Sequence, residues 1–332
     1  MAQGDIKRKT VLLTGPTSGI GAAMLATLLA HPRRPHLVLL GRDQAALSSA
    51  VAAAEDRGLT ASGIPVDLSD LASIRRAHEL LHALLLEGVI APIDVALLNA
   101  GAQFASRRQT GAQGHELTFT INVIAQHLLL RGLEPILAPS AHVILMGSST
   151  HRGKRASFNL VPDPSWQVPS EMATPDPRGD GHVRSADERD RGGVAYGTSK
   201  LALVTLSHDW AEHLARGGRR LNVYDPGLVP GTGLGKDLPG AMYWVWKNLM
   251  PAMSLLPRAS TPPITSRHAV ALALGDTYPA LHDGYVEIGK LTHAEKVTFD
   301  PHRRAQLSEW LESAVAAFLP DVAAAGWTEG HP

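Results

Sequence analysis

Short apolar runs alternate with segments of helical periodicity along the chain up to residue 224. Glycine, proline or charged residues bound each run, which is typical of strands that are buried on both faces. The pattern predicts strands at 10–14, 36–40, 64–67, 93–98, 142–146 and 220–224. It predicts helices between them at 19–30, 44–57, 71–87, 114–133 and 196–216.

This alternation specifies βαβ units and a parallel sheet with helices on both faces. We therefore expect an α/β fold, a doubly wound Rossmann-type sheet in a three-layer αβα arrangement. The 332 residues are 44% hydrophobic and 19% charged, which is ordinary globular composition. We interpret 1–332 as a single domain.

Two segments interrupt the alternation. Residues 151–193 hold five prolines among many charges and are interpreted as a long surface insertion within the domain. Residues 227–263 are rich in glycine and proline and are interpreted as a substrate loop or lid. The aromatic side chains of this second segment favour either an apolar wall over a bulky substrate, or core packing or a contact with a second copy; they are Tyr243, Trp244 and Trp246.

Charge and composition exclude several classes of function. Lys plus Arg and Asp plus Glu are equal at 31 each, so no net field favours nucleic acid. The chain has no cysteine, which excludes disulfides, thiolate nucleophiles and Cys-ligated zinc. Residues 1–9 are polar and basic rather than apolar, so we expect a cytoplasmic protein. Residues 241–256 are too short to span a bilayer, but peripheral membrane contact stays open.

A glycine-rich turn, Thr14-Gly15-Pro16-Thr17-Ser18-Gly19-Ile20-Gly21, follows the first predicted strand. Glycines at this point let backbone amides at a helix N-terminus approach a pyrophosphate. The alternative is a tight packing turn without a ligand. The spacing differs from GxGxxG, because three residues separate the first two glycines.

Tyr196 and Lys200 lie four residues apart on a predicted helix and therefore share one face. At that spacing the ammonium is expected to lower the pKa of the phenol, which makes the tyrosine usable as an acid or base. The same chain carries Asn99-Ala100-Gly101 after the fourth strand and Ser148 after the fifth.

Taken in this order, the motifs resemble those of the short-chain dehydrogenases/reductases over roughly residues 9–285. The resemblance implies a catalytic set of Asn122, Ser148, Tyr196 and Lys200, with Ser148 favoured over the adjacent Ser149. It also implies that NADP(H) or NAD(H) is held by a second set of residues: Gly15, Thr17, Ser18, Gly19, Ile20, Gly21, Asp67, Leu68, Asn99, Ala100, Gly101, Tyr196, Lys200, Pro226, Gly227 and Thr232.

Arg42 decides between the two cofactors. NAD enzymes of this family usually carry an acidic residue at the end of the second strand, where this chain has Gly41 and Arg42. A guanidinium can form charge-assisted hydrogen bonds with a 2′-phosphate. NADP(H) is therefore expected, and the alternative is a solvated arginine that opens a loop.

His78-Glu79-Leu80-Leu81-His82 matches the HExxH pattern of zinc proteases. It falls within a helix whose leucines are predicted to face the sheet, far from the strand ends that form a cofactor cleft. We therefore expect no metal site.

Within the family, the sequence resembles the 3-keto-steroid reductase (hydroxysteroid dehydrogenase) group and, less specifically, protochlorophyllide reductases. The resemblance implies reduction of a ketone on a bulky apolar substrate, steroid-like or a polycyclic polyketide, with Tyr196 as general acid and Ser148, Tyr243, Trp244 and Trp246 at the substrate. The alternatives are a C=C reductase and a non-catalytic NADP-binding regulator. Relatives often pair through the helices that hold Asn122 and Tyr196, so a homodimer is the default expectation.

Overall fold

The computed structural model describes residues 8–107, 109–176, 185–229 and 258–319. Their centre is an eight-stranded sheet in the order β3-β2-β1-β4-β5-β6-β7-β8. All neighbouring pairs are parallel except β7 and β8. Chain order reverses between β1 and β4, which in open α/β sheets is where ligands bind beyond the carboxyl ends of the strands.

The strands extend the predicted set. β3 lies earlier than the predicted 64–67, β5 begins five residues before the predicted start, and the last two strands have no counterpart in the prediction. The bounds are β1 Thr10–Thr14, β2 His36–Gly41, β3 Ala61–Pro65, β4 Ile93–Leu98, β5 Leu137–Met146, β6 Arg220–Asp225, β7 Tyr285–Glu287 and β8 Lys290–Thr292.

Helices cover both faces of the sheet. A π-helical turn, Thr120–Ile124, joins the short α4 to α5 within the segment predicted as one helix. The bounds are α1 Gly19–Leu29, α2 Gln44–Glu55, α3 Leu71–Leu86, α4 Leu117–Phe119, α5 Ala125–Leu133, α6 Pro169–Met172, α7 Ser185–Ala215, α8 Pro262–Leu274 and α9 Pro301–Val315.

Alternate residues of the central strands pack into two separate cores, one on each face of the sheet. On β1, Leu12 packs in the core beneath α3, α5 and α7, whereas Val11 and Leu13 pack in the core beneath α1 and α8. Successive side chains of a strand point to opposite faces, so a strand between two helical layers must be apolar throughout. The predicted three-layer αβα fold is therefore confirmed.

The interpretation of 151–193 as a surface insertion is wrong at its C-terminal end. Helix α7 begins at Ser185, eleven residues before Tyr196, so residues 185–193 are part of the helix that carries the tyrosine. The N-terminal part of the segment packs on that helix: Thr198 Oγ1 accepts the Ser165 N–H at 2.9 Å. An added Cβ on Gly193 would lie 2.6 Å from the Pro162 ring, so the two segments are in close contact.

Helix α9 lies across α5 and α7. Arg304 pairs with Asp209 of α7 at 2.6 Å, and Glu312 reaches His127 of α5 at 3.3 Å. Nearly every described residue of α5 and of α7 from 192 to 211 is buried between the sheet and the surrounding elements. A homodimer through these helices stays a prediction, and a single chain leaves little of their surface for a second copy.

None of the helices in the described ranges is long and apolar enough to cross a membrane. Residues 241–256, the segment considered for peripheral contact, lie outside the described residues.

Candidate active site

The turn between β1 and α1 is built by glycines. Gly15 and Gly19 have φ of +67° and +54°, a region that L side chains rarely adopt. A Cβ on Gly21 would lie 1.9 Å from the Gly15 carbonyl oxygen, so the first turn of α1 packs directly on the backbone of the loop. Ser18 at the N-cap makes no side-chain capping bond. The result is a backbone cradle at a helix N-terminus, which fits a phosphate.

The Asn99-Ala100-Gly101 turn joins this cradle to the end of β4. Asn99 Nδ2 donates to the Thr14 carbonyl at 3.0 Å, and the Ala100 N–H donates to Thr14 Oγ1 at 2.8 Å. A Cβ on Gly101 would lie 3.0 Å from Asn122 Oδ1 and 3.5 Å from Lys200 Nζ. Gly101 therefore lets two of the predicted catalytic side chains converge on the turn.

Asn122 lies on the π-helical turn and is 1% exposed. Its Oδ1 accepts the Ala102 N–H at 2.8 Å, and its Nδ2 donates to the Ala102 carbonyl at 2.8 Å and to Ser199 Oγ at 3.0 Å. Single π-turns within α-helices frequently occur at functional sites. Here the turn aims one amide at the loop after β4 and at the helix that carries Tyr196.

Ser148 follows β5, and its side chain lies close enough to that of Tyr196 to lower the pKa of the phenol, against the effect of burial. Thr150 donates to Ser148 Oγ through both its N–H, at 3.3 Å, and its Oγ1, at 3.0 Å. Since Ser148 Oγ accepts these two bonds, its own proton is available for the Tyr196 oxygen. Ser149 is buried in the following 3₁₀ turn. The structure therefore brings Ser148, rather than Ser149, to the tyrosine.

Lys200 does not lower the pKa of Tyr196 in this structure, contrary to the expectation from their spacing. Its Nζ donates to the Met146 carbonyl at 2.7 Å and lies 5.8 Å from the centroid of the tyrosine ring. Burial raises the pKa of Tyr196 to about 12, against the effect of the Ser148 side chain. Burial also lowers the pKa of Lys200 to about 8, against the charge of Asp225.

The remaining described residues that were predicted to contact a cofactor follow the ends of strands at the same edge of the sheet. Arg42 is exposed just after β2. Asp67 Oδ1 accepts from the N–H and Oγ of Ser69, so this carboxylate stabilises the turn before α3. Thr17 and Ile20, in the turn after β1, are partly buried, and Leu68, next to Asp67, is buried. Four further predicted residues lie outside the described residues: Thr232, Tyr243, Trp244 and Trp246.

Two comparisons bear on the family. A model described as short chain dehydrogenase matches residues 9–159. The putative daunorubicin C-13 ketoreductase DnrU of Streptomyces sp. (strain C5) is 32% identical over 243 residues, covering 73% of this chain and 72% of that protein. The chain belongs to the short-chain dehydrogenase/reductase family. It is also similar to the Homo sapiens 3-keto-steroid reductase/17-beta-hydroxysteroid dehydrogenase 7, at 27% over 282 residues, with 75% and 73% covered.

Solved structures with this fold include the angucycline C-6 ketoreductase LanV with bound NADP. It has a TM-score of 0.60 and 18% identity, and the match covers 85% of this chain and 94% of that one. This short-chain dehydrogenase/reductase therefore shares their fold over most of its length.

Among the described residues, which include the HExxH segment, no group of three or more His, Cys, Asp or Glu side chains is arranged so that it could hold a metal ion. His78 is fully buried and its ring packs on Gly132, where an added Cβ would lie 2.2 Å away. Burial lowers the pKa of His78 to about 3. Glu79 is exposed and pairs with Arg75, on the other side of the helix.

Sequence reasoning missed a buried polar cluster beneath Ser148, which we call the β7 cluster and define as His151, Asp225, Tyr285, Arg152 and Glu287. The Tyr285 hydroxyl donates to Asp225 Oδ2 at 2.7 Å, and the Gly227 N–H donates to Asp225 Oδ1 at 2.8 Å. Burial raises the pKa of Asp225 to about 6, although both of these bonds oppose that rise. The only local signal was an aspartate directly before Pro226-Gly227, at the end of an apolar strand.

Proposed function

We propose that this protein is an NADPH-dependent carbonyl reductase, reversible as an alcohol dehydrogenase. The observation that carries the proposal is the juxtaposition of Tyr196 with Ser148, which acts on the pKa of the phenol, and with Lys200, whose Nζ lies 5.8 Å from the centroid of the tyrosine ring. A ketone oxygen placed between two hydroxyls would have both an acid and a hydrogen-bond donor within reach.

In this proposal NADPH supplies the hydride, and the chain's own residues handle the proton and the charge. Tyr196 donates its proton to the carbonyl oxygen while Ser148 holds that oxygen. The raised pKa of Tyr196, about 12, keeps the phenol protonated at neutral pH, which is the form that reduction requires. Lys200 and Asn122 converge at Gly101, where they would bind ribose hydroxyls and order water.

The assignment of NADP(H) rests on two features of this chain. The glycine turn at the start of α1 keeps its backbone arrangement only because Gly21 lacks a Cβ, and it would hold the pyrophosphate that NADP(H) shares with NAD(H). Arg42 is exposed just after the neighbouring strand β2, where a guanidinium would reach a 2′-phosphate. The similar structure of LanV holds NADP, which is in keeping with this assignment.

We infer a bulky apolar ketone, steroid-like or a polycyclic polyketide, as the substrate. The relatives' names support this class: one is a ketoreductase of daunorubicin, one of an angucycline and one a 3-keto-steroid reductase. Residues 230–257, which carry the aromatic side chains assigned to the substrate lid, would supply the apolar wall, and peripheral membrane contact by that segment stays part of the proposal.

The test is optical assay of NADPH oxidation with a panel of ketosteroids and polycyclic aromatic ketones, followed by product analysis. We expect an alcohol product, and Tyr196→Phe should lower kcat by about 10²–10⁴-fold while NADPH binding is retained. Tyr278→Phe is the matched control, since that hydroxyl also makes two hydrogen bonds but lies at the β7–β8 hairpin. Full activity of Tyr196→Phe, or a saturated C=C bond as product, would contradict the proposal.

A further inference from the structure

The β7 cluster joins the two strand ends that flank the proposed reaction. One end is β5, which leads into Ser148, and the other is β6, which leads into the Pro226-Gly227 turn. Tyr285 belongs to neither strand. It enters from β7, 60 positions after Asp225, and its hydroxyl lies between them.

On the β5 side, the link runs through His151, which is 1% exposed. Its Nδ1–H donates to the Ser148 carbonyl at 2.6 Å, and its Nε2 accepts the Glu295 N–H at 3.2 Å. These two partners fix a neutral ring with the proton on Nδ1. Burial lowers the pKa of His151 to about 4, so the ring stays neutral at physiological pH. Tyr285 OH lies 3.4 Å from the same Nδ1.

Gly147 shows how closely Tyr285 approaches the reacting strand. A Cβ on Gly147 would lie 3.3 Å from the Tyr285 hydroxyl oxygen and 2.6 Å from Val223. Gly147 separates Met146, whose carbonyl accepts from Lys200, from Ser148. The tyrosine hydroxyl is therefore packed directly against the backbone that carries both of these contacts.

On the β6 side, Asp225 is 1% exposed and accepts from Tyr285 and from the Gly227 N–H. The charged groups around it come from three elements. Arg152 follows β5 and pairs with Glu287 of β7 at 2.7 Å, with its guanidinium carbon 4.7 Å from the centroid of the Tyr285 ring. Lys200 on α7 is the buried cation of the catalytic set, and the Asp225 charge acts on it.

We propose that Tyr285 and Asp225 are positioning residues, which hold Ser148 and the Pro226-Gly227 turn in place and keep a buried negative charge near Lys200. Lys200 Nζ donates to the carbonyl of Met146, and Met146 pairs across the sheet with Tyr224, the residue before Asp225. This inference rests on the proposed function for its kinetic part. The His151, Tyr285 and Asp225 side chains form a continuous contact from the Ser148 carbonyl to the Gly227 amide. Neither residue touches the reacting atoms, so both act through Ser148 and Lys200.

The first arm of the test uses Tyr285→Phe, which removes one hydroxyl and keeps the ring. We expect kcat for ketone reduction to fall about 10-fold, because small displacements of positioned groups are costly, while the KM for NADPH changes little. Tyr278→Phe, the same change at the hairpin, should keep the wild-type kcat. Equal kcat for Tyr285→Phe and wild type would overturn the positioning role.

The second arm uses Asp225→Asn and the pH dependence of kcat. Removing the negative charge should lower the pKa of Lys200, so the basic limb of the kcat profile should move to lower pH by about half a pH unit or more. A general loss of native structure would lower kcat without shifting the basic limb of the pH profile. An unmoved limb in Asp225→Asn would therefore contradict the counter-charge role.

The third arm needs no turnover. Hydrogen exchange measured by mass spectrometry should show faster exchange in Tyr285→Phe both in the peptide holding Ser148 to Arg152 and in the peptide holding Gly227, and in neither for Tyr278→Phe. If the wild type reduces no ketone but this coupled change occurs, the proposed function fails and the structural link stands. If wild-type turnover is present and exchange changes in neither peptide, the link itself is refuted.

Discussion

Two turns at the carboxyl edge of the sheet have similar backbone geometry but are stabilised by different interactions. The turn after β1 and the turn after β6 both contain a glycine in the left-handed region, Gly15 at φ +67° and Gly227 at φ +69°. The first is held by backbone packing and by uncharged groups such as Thr14 and Asn99. The second is held by the buried carboxylate of Asp225.

The two turns also differ in how far apart in sequence the residues that form them lie. Every glycine of the first turn lies within seven residues of sequence, so its signature can be read directly. The second turn depends on Tyr285, which is 60 positions away from Asp225 and on a strand of three residues. A buried carboxylate also costs stability, because burial disfavours its charged form. The first turn therefore depends on steric fit, and we call it the steric turn. The second depends on a buried charge, and we call it the electrostatic turn.

The largest effect is expected from a substitution in the steric turn, after β1. Gly21→Ala places a Cβ 1.9 Å from the Gly15 carbonyl oxygen, so the loop and the first turn of α1 must separate. We expect NADPH affinity to fall by about 100-fold or more, with a loss of roughly 1–3 kcal/mol in the free energy of unfolding. Fluorescence titration with NADPH and urea unfolding measure the two effects.

Gly217→Ala is the matched control for this prediction. An added Cβ there meets nothing closer than 3.6 Å, which is ordinary van der Waals contact. NADPH affinity of this variant should equal that of the wild type. Normal NADPH binding by Gly21→Ala would show that the turn after β1 is a packing turn and does not cradle a phosphate.

A smaller effect is expected from Arg42, which is assigned to the discrimination between NADPH and NADH and is not part of the turn after β1. Arg42→Ala should weaken NADPH binding by about 10–100-fold, the range for lost charge-assisted hydrogen bonds, and leave NADH binding unchanged. Titration with both cofactors measures the ratio, and Arg75→Ala on the surface of α3 is the control. Equal losses for the two cofactors would remove the 2′-phosphate assignment.

The strands and helices that bury regular apolar runs could be predicted from the sequence. β1 and β4 match their predicted bounds, and α1 and α3 end within one residue of theirs. The elements that were missed or misplaced carry weak local signals. β7 and β8 have three residues each, too few for a periodicity, and α7 begins with Ser185, Ala186 and Asp187 in a segment that composition marked as loop.

The candidate site likewise combines features that the sequence predicted with features that it did not. Asn122, Ser148, Tyr196 and Lys200 are brought together as the family motifs implied, but the electrostatics did not follow from spacing. Four residues on a helix place Lys200 on the correct face, yet its ammonium donates to Met146, and burial then dominates the pKa of Tyr196. Burial depends on the whole fold, so no short motif could supply its sign.

The smallest effect concerns the electrostatic turn and is one of stability. Because burial raises the folded-state pKa of Asp225 to about 6, above its value in the unfolded chain, the native state loses stability as pH rises from the unfolded-state pKa to about 6, and the loss is complete above that value. Asp225→Asn removes this penalty while keeping the side-chain shape. Relative to wild type, its free energy of unfolding should rise by about 1–3 kcal/mol between roughly pH 4 and pH 6 and stay constant above, measured by urea unfolding.

Asp94→Asn provides the control, because Asp94 also accepts a backbone N–H from a neighbouring strand, at 2.8 Å from Thr10, but is only half-buried. It controls for the loss of a carboxylate that accepts a backbone N–H. If Asp225→Asn becomes more stable at high pH and yet turns over more slowly, the carboxylate is retained at the expense of stability, as an electrostatic device at a reaction site would be. If Asp225→Asn instead loses stability at high pH, the carboxylate is a structural anchor and the contrast between the two turns is wrong.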